Sequence, residues 1–527
     1  MFETLPVFNE LVSSTTTHID DDHIRREVSQ YYRYATFSHT WEDNEPLFED
    51  VMHIIVYHLQ QSFTHDKLQV FCKIARDAGF HWAWSDTCCI DKGNQIVLQE
   101  ALVAMFKWYA GSALTIVFLR GVHSPSRRGD LMRSIWNTRG WTFQEYHASR
   151  VVLFYTEDWK PYLNLDIPNH KDSPEIIKEM EEATGVSAEF LMNLQPGSNG
   201  IREKLCLASR RETTLVEDAA YSLLGIFSVS LPIVYGEGDQ ALGRLLAQLL
   251  TSSGDTSILA WTGNSGTFNS CLPANISVFS ELPTSYIPPP ISAAEMEIIT
   301  SRMRISSSNF ALAMRLYDQL RGLLVSSFAN QRMKLPCLTF KLGPVSATQS
   351  GTGYRAKTDA LGVVEITTTE DLSRLDSLIL VHPWIDFLLD RHPVGKILDT
   401  FPENTSRRST SMADVSSFSG PSSYSAPSVR QARAMRLIPQ IGRFKPGDGE
   451  SLLPPSSESV TDKRTHALEF VARLSRPFGA LLFTPTRQNV EEYRRVASES
   501  LIKVEVKELS AKVLNKLIDG ARMLDVL

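Results

Sequence analysis

The sequence predicts an α/β protein: an open parallel sheet flanked by helices, followed by a helical extension and an irregular C-terminal region that contains β-strands. Three observations support this fold class. Strand-like and helix-like segments alternate through the first 160 residues, residues 161–260 carry mainly helical patterns, and short strand-like segments dominate from about residue 296. Alternating strands and helices are typical of parallel sheets, because each crossover between parallel strands usually contains a helix.

The N-terminal elements follow one another in a regular order. A strand is predicted at 34–41 (YATFSHTW), and Pro46 suits the first turn of a helix that would run to residue 61. A second helix is predicted at 66–80, with Gly79 at its end, and a third at 97–112. The sequence HWAWSDTCCID reads as a short strand running into a turn, and the apolar runs ALTIVFL and RVVLFY as strands covered on both faces.

The rest of the chain is expected to form further units. The predicted units are an α/β domain at 30–160, a helical extension at 161–260, a β-rich region at 296–400, a serine-rich segment at 403–432 and an α/β segment at 465–527. The serine-rich segment has too few apolar residues to form a core, so we expect a disordered linker. FALAMRLY (310–317) is interpreted as strand-like, and AKVLNKLIDGARML (511–524) as a helix.

Composition narrows the functional classes. The 527 residues are 43% hydrophobic and 21% charged, which is ordinary for a globular protein. A net charge of -7 argues against nucleic acid or an anionic membrane as a partner. No apolar run is long enough to span a bilayer, and the N-terminus lacks the features of a secretory signal, so a cytoplasmic location is expected. Six scattered cysteines without a C-x-x-C pair predict reduced thiols and no metal site.

Three loops are expected to meet at one edge of the parallel sheet. They are residues 38–43, residues 86–92 and the segment 136–145. Ligands of open α/β sheets bind at the carboxyl ends of the strands, where these loops lie.

Glu145, in the third loop, has two interpretations that the sequence leaves open. Thr142 and Glu145 have the spacing of a capping box, in which both side chains satisfy amides of the first helical turn. Alternatively, Glu145 is a functional carboxylate beside Trp136 and Trp141, which could stack on a planar ring. A carboxylate there could stabilise positive charge developing on a ribose, as in glycosidic-bond cleavage.

The loop after the second strand contains two acidic residues and two adjacent cysteines. Asp86 and Asp91 either bind a ligand hydroxyl or cap the following turn. Cys88 and Cys89 indicate a packed turn rather than a catalytic thiolate, since buried cysteine is common and no base is placed beside them.

Several motifs together resemble the fungal heterokaryon incompatibility (HET) domain in order and spacing. They are YATFSHTW, WAWSDTCCIDK, ALVAMFKWYAGSALTIVFL and SIWNTRGWTFQEYHASRVVLFYTEDW. The following SRRETTLVEDAAYSLLGIF is similar to the helical extension often found behind HET domains, so the resemblance covers roughly residues 30–260. It implies non-self recognition after hyphal fusion, with cell death as the output.

HET domains are in turn distantly similar to TIR domains, whose sheets either scaffold signalling assemblies or cleave NAD. The tryptophan four residues before Glu145 is similar to the TIR pattern around the catalytic glutamate. The resemblance thus implies a TIR-like fold, NAD as a candidate substrate, no resident cofactor, and Glu145 as the catalytic residue. The ligand-binding residues it implies are Ser38, Trp41, Asp86, Asp91, Trp136 and Trp141. The alternatives are a non-catalytic interaction module and a degenerate family member. The expected partners are a second copy of the chain or an upstream recognition protein.

Overall fold

The computed structural model describes residues 28–280, 307–348, 353–358, 360–375, 377–384, 460–486, 491–506 and 509–527, with 294, 297 and 298. The serine-rich segment 403–432 lies outside the described residues. The described residues belong to one unit, which combines the chain up to residue 385 with the chain from residue 458 onward.

A four-stranded parallel sheet forms the N-terminal part, as the sequence predicts. Its strands are Tyr34–Ser38 (β1), Trp82–Trp84 (β2), Leu114–Leu119 (β3) and Val152–Thr156 (β4). Their order across the sheet is β2-β1-β3-β4, and all three pairings are parallel. Every residue of β3 is buried, as expected for a central strand covered on both faces. From β1 the chain goes to β2 on one side and then to β3 on the other side, so the strand order changes direction between β1 and β3. In open parallel sheets, ligands bind at this point.

Helices flank this sheet. They are Phe48–Val51 (α1), Phe63–Asp77 (α2), Gln95–Gly111 (α3), Asp130–Arg133 (α4), Ile135–Thr138 (α5) and Trp141–Ala148 (α6). Helix α2 is capped by Ser62, whose side chain accepts a hydrogen bond from the His65 amide. Leu68 and Phe71 of α2 face the core, and Gly79 follows with a φ of 86° that ends the helix.

The prediction of one helix from Pro46 to residue 61 is wrong beyond α1. A 3-10 turn at Val56–His58 is the next helical element. Ile54 and Ile55 are 50% and 46% exposed, so no packed face sustains a longer helix there.

Between residues 161 and 260 the regular structure is mainly helical. The helices are Pro174–Thr184 (α7), Ala188–Met192 (α8), Ile201–Ala208 (α9), Asp218–Tyr221 (α10), Leu224–Phe227 (α11) and Gln240–Ser253 (α12). Helices α8 to α12 contribute to a common apolar core, to which Phe143 of α6 also contributes, whereas Ile176 and Met180 of α7 pack in the core beside β3 and β4. The extension therefore packs directly against the helix that carries Glu145.

The longer helices of the C-terminal part are Ser307–Arg321 (α13), Val460–Leu474 (α14) and Ala511–Gly520 (α15). The strand-like interpretation of 310–317 is therefore wrong. Ala313, Leu316, Tyr317 and Leu320 are buried at helical spacing. The helix predicted at 511–524 ends at Gly520, where the chain continues as a strand.

The C-terminal strands in the described ranges build two sheets, a mixed one with strands from both halves of the region and a smaller antiparallel one. The strands are Ser327–Ala329 (β5), Arg332–Lys341 (β6), Val345–Ala347 (β7), Gly353–Thr358 (β8), Gly362–Thr367 (β9), Ile379–Pro383 (β10), Phe478–Pro485 (β11), Glu492–Val496 (β12), Ile502–Val504 (β13) and Ala521–Val526 (β14). The pairings β10-β11-β12-β14-β6 close on themselves through β6 and β10, with β5 and β13 attached, while β7, β8 and β9 form a separate antiparallel sheet. Within the described ranges, no helix combines the length and apolar character needed to cross a membrane.

Candidate functional site

The candidate site lies at the carboxyl ends of β1 and β3. Ser38 is the last residue of β1, and its hydroxyl donates a hydrogen bond of 2.5 Å to Oε2 of Glu145. The indole Nε1 of Trp136 donates to the Ser38 hydroxyl at 2.8 Å. Glu145 is only 3% exposed and Ser38 is fully buried. The structure thus brings the first and third predicted loops into direct contact.

The capping-box interpretation of Glu145 is wrong. Helix α6 begins at Trp141 with Gly140 as its N-cap, so Thr142 lies inside the first turn. The Thr142 hydroxyl donates to the carbonyl oxygens of Trp136 at 2.7 Å and Arg139 at 2.9 Å, so it serves the preceding turn. Because the helix starts at this point, the Glu145 side chain reaches the sheet edge and not the helix terminus.

Burial and a neighbouring carboxylate perturb the Glu145 carboxyl group. Burial is the larger cause and Asp86 the second, and together they raise the pKa of Glu145 to about 8. Hydrogen bonds with Ser38 and Tyr109 oppose this rise. The Tyr109 hydroxyl donates its proton to the Phe37 carbonyl oxygen at 2.7 Å. The carboxyl group is therefore mostly protonated at neutral pH, and a cation placed beside it would favour its ionised form.

A chain of hydroxyl groups ties the backbone of Glu145 to the centre of the sheet. The hydroxyls of Thr36 on β1 and Thr115 on β3 are 2.7 Å apart, and that of Thr115 lies 2.5 Å from Ser149. Ser149 donates to the carbonyl oxygen of Glu145 at 2.6 Å. All these groups are buried, so the position of α6 on the sheet is fixed by satisfied polar contacts.

The second loop joins the site at its exposed rim. Nε1 of Trp41 donates to Oδ2 of Asp86 at 2.8 Å, and Trp41 is 50% exposed. The Lys92 ammonium lies 3.6 Å from the centroid of the Trp41 ring. Burial raises the pKa of Asp86, although His39 and Lys92 oppose it. The rim therefore presents an aromatic face, a cation and the half-buried Asp86 carboxyl group.

Two predicted ligand-binding residues lie elsewhere. Asp91 accepts a hydrogen bond of 3.1 Å from the Gly93 amide and caps its own turn. Trp141 bonds to the carboxylate of Asp218 and packs against the core of the extension. Trp136 is buried, so it reaches the site only through its bond to Ser38.

A buried charge cluster below the first loop was not predicted from the sequence. Lys67 of α2 forms an ion pair with Glu45, and its ammonium lies 3.6 Å from Glu42. His39 lies 3.7 Å from Glu45 and stacks on Phe37 with the ring centroids 4.3 Å apart. In the sequence, Lys67 directly precedes the apolar Leu68. Its burial becomes evident only when the buried face of α2 is known.

Arg211 of the extension is a second residue whose role could not be predicted from the spacing of sequence motifs. Its guanidinium donates to the Arg139 carbonyl oxygen, the Thr142 hydroxyl and Oδ1 of Asn137, each at 3.0 Å. The backbone carbonyl oxygen of the next residue, Glu212, accepts a hydrogen bond of 2.9 Å from the Gly140 amide. The extension therefore holds the start of the helix that carries Glu145.

Fold and site together define an α/β domain with a four-stranded parallel sheet, a buried carboxyl group at its carboxyl-terminal edge and a helical extension packed on one side. Residues 34–130 match the family model described as heterokaryon incompatibility protein (HET). Residues 34–130 are therefore similar to the heterokaryon incompatibility domain, which confirms the resemblance seen in the sequence. Ser38 and Asp86 lie within the matched residues, and Glu145 follows them.

A curated relative supports the same family. Over 223 residues the chain is 33% identical to vegetative incompatibility protein HET-E-1 of Podospora anserina. The aligned part makes up 40% of this chain and 16% of that protein. No solved structure matches the chain.

Proposed function

We propose that this chain is a fungal cytoplasmic protein of heterokaryon incompatibility, and that its N-terminal domain triggers cell death after non-self recognition. The family match and the name of the Podospora relative support this role. The test is expression of the full chain in a fungal host with viability counted after hyphal fusion. We expect lower viability than with the same chain carrying Glu145→Gln, and equal viability of the two would contradict the proposal.

We further propose that the domain acts by cleaving the bond between nicotinamide and ribose in NAD. The observation that carries this step is the contact of Ser38 with Glu145 at the edge where the three loops meet. Cleavage of this bond develops positive charge on the ribose, which an adjacent carboxylate stabilises. Ser38 would orient the carboxylate, because its hydroxyl donates to one carboxylate oxygen.

The raised pKa of Glu145 fits a cationic substrate. The nicotinamide ring of NAD carries a positive charge, so its binding next to Glu145 would lower the pKa of the carboxyl group and ionise it. Trp41 offers a face for a planar ring, and Lys92 offers a cation for the pyrophosphate. The residues would thus bind the substrate at the rim and act on it at the buried carboxyl group.

The test is nicotinamide release from NAD by the purified full chain. We expect release by the wild type and a loss of at least about 100-fold in Glu145→Gln, since a group that stabilises transition-state charge contributes on that scale. Glu100→Gln is the matched control, because Glu100 is an exposed glutamate of α3 in the same domain. Equal release by the wild type and Glu145→Gln, or none by the wild type with and without a crosslinked dimer, would contradict the NAD proposal.

A non-catalytic interaction module is the second candidate function. It is favoured by the 3% exposure of Glu145 together with the exposed apolar side chains Ile96, Val97 and Val103 on α3. Such side chains on one helix suit contact with another protein. In that case Val103→Glu would abolish the viability effect, while Glu145→Gln would leave it unchanged.

A further inference from the structure

Two adjacent cysteines occupy the turn that follows β2. Cys88 is 7% exposed and packs into the core, whereas Cys89 is exposed. The Cys89 amide donates to the Ser85 carbonyl oxygen at 2.9 Å, and the Ser85 amide donates to the Cys89 sulfur at 3.4 Å. In the second of these bonds the Cys89 sulfur is the hydrogen-bond acceptor.

The two thiols have opposite environments. A hydrogen bond with Cys88 and the one from the Ser85 amide lower the pKa of Cys89, although burial and Asp86 oppose this change. The same bond, followed by burial, raises the pKa of Cys88. By contrast, burial raises the pKa of each of Cys72, Cys271 and Cys337 to about 12. Among the six cysteines, all of which are described, Cys89 combines exposure with donors aimed at its sulfur.

We propose that Cys89 is a peroxide-reactive thiol and that Cys88 is its resolving partner, so that this turn is a reversible two-electron redox site. The Cys89 thiolate attacks one oxygen of hydrogen peroxide, the O–O bond breaks, and the leaving hydroxide takes up a proton to become water. Cys88 then attacks the Cys89 sulfenic acid, a disulfide forms, and a second water leaves with the Cys88 proton. The two sulfurs lose two electrons, and the peroxide gains them.

The geometry suits a switch rather than a permanent link. Neighbouring Cα atoms across a trans peptide are about 3.8 Å apart, which is closer than in most disulfides, so such a bond is strained and easily reduced. The turn also contains Asp86, which bonds to Trp41 at the rim of the candidate site. Closing the disulfide would therefore change the backbone next to Asp86.

The test is peptide mass spectrometry of the full chain after treatment with hydrogen peroxide. Trypsin cleaves after Arg76 and Lys92, so one peptide, 77–92, carries both cysteines, and Cys72 falls in a separate peptide at 68–73. We expect peptide 77–92 to lose the mass of two hydrogen atoms and to regain it after dithiothreitol. A disulfide joining 68–73 to 77–92, or an unchanged 77–92, would overturn the proposal.

Single variants separate the two roles. In Cys88→Ser, Cys89 should stop at the sulfenic acid and be trapped by dimedone, whereas Cys89→Ser should leave peptide 77–92 unoxidised. Cys72→Ser is the matched control and should behave as the wild type. Iodoacetamide should label Cys89 in the untreated wild type at least about tenfold faster than Cys72, since thiolate content sets the rate. Equal labelling rates would contradict an activated Cys89 independently of any variant.

Discussion

The two large sheets of this chain bury different kinds of side chain. The parallel sheet buries ionisable and hydroxyl groups at its carboxyl-terminal edge, notably Ser38, His39, Glu45, Lys67 and Glu145. The mixed C-terminal sheet buries mainly aliphatic side chains, such as Met333, Leu335, Leu338, Leu380 and Leu481. Burying polar groups costs free energy unless they are paired, so their concentration at one edge indicates a site, while the C-terminal sheet is built for stability.

Arg495 is a buried charged residue of the C-terminal sheet, and its contacts are to the backbone and a ring of the extension. Its guanidinium donates to the carbonyl oxygens of Leu259 at 2.9 Å and Trp261 at 2.6 Å, and lies 3.7 Å from the centroid of the Trp261 ring. It therefore attaches the end of the extension to β12. The charge cluster around Lys67 differs, because it joins several ionisable groups next to a loop of the candidate site.

Removing the cation of that cluster should have the largest effect on stability. Lys67→Met removes the ammonium partner of the buried Glu45 and leaves it only His39, so we expect the free energy of unfolding to fall by about 3–5 kcal/mol. Urea denaturation followed by circular dichroism measures it. Lys73→Met is the matched control on the same helix, since the Lys73–Asp77 pair is exposed and should contribute far less.

The double variant Lys67→Met with Glu45→Gln sharpens this test. Because it removes both charges, it should recover most of the stability that the single variant loses. Equal stability of Lys67→Met and Lys73→Met would show that the ion pair of the buried cluster does not stabilise the fold.

The pH dependence of stability should change next most strongly in Glu145→Gln. Because the folded pKa of about 8 lies above the usual value of 4.5, the folded state binds more protons than the unfolded state between these pH values. Stability from Glu145 is thus fully present below pH 4.5 and is lost as the pH rises through 8. Because the glutamine side chain cannot ionise, we expect Glu145→Gln to lack this pH-dependent loss of stability, which is on the order of a few kcal/mol in the wild type.

Thermal unfolding of both proteins from pH 4.5 to 9 checks this prediction. The wild type should lose stability more steeply than the variant across this range. Parallel profiles would mean that the carboxyl group is ionised in the folded state at neutral pH.

Arg211→Met should weaken the contact between extension and α6. The change removes three hydrogen bonds to Arg139, Thr142 and Asn137, so we expect a loss of about 2–3 kcal/mol. Arg210→Met is the matched control, because the neighbouring Arg210 is exposed and bonds to one carbonyl oxygen. Denaturation midpoints measure both, and equal midpoints would show that the extension does not hold α6.

The smallest predicted effect tests the C-terminal sheet. A Cβ atom at Gly520 would overlap the Thr339 carbonyl oxygen of β6, so Gly520→Ala should cost about 1–3 kcal/mol. Gly322→Ala is the control, since a Cβ there would meet carbonyl oxygens only at 3.4 Å and 3.5 Å. Calorimetry compares the two variants. A neutral Gly520→Ala would show that α15 and β6 are loosely packed.

Much of the N-terminal fold follows from the sequence, because alternating apolar runs and amphipathic segments determine a parallel sheet and hence which loops meet. The direction of the Glu145 side chain does not follow, since it depends on where α6 begins. Trp141 faces the extension because Asp218 lies there, which no local pattern indicates. The helix at 310–317 was within reach of the sequence, because Ala, Leu, Met and Arg all favour helix.

Infrared difference spectroscopy of the Glu145 carboxyl group tests the central claim most directly. The carboxyl C=O stretch, isolated by subtracting the spectrum of Glu145→Gln, should persist at neutral pH and disappear with a midpoint of about 8. A midpoint near the ordinary value of 4.5 would show that the sheet edge holds an ordinary ionised carboxylate, and the contrast between the two sheets would lose its functional meaning.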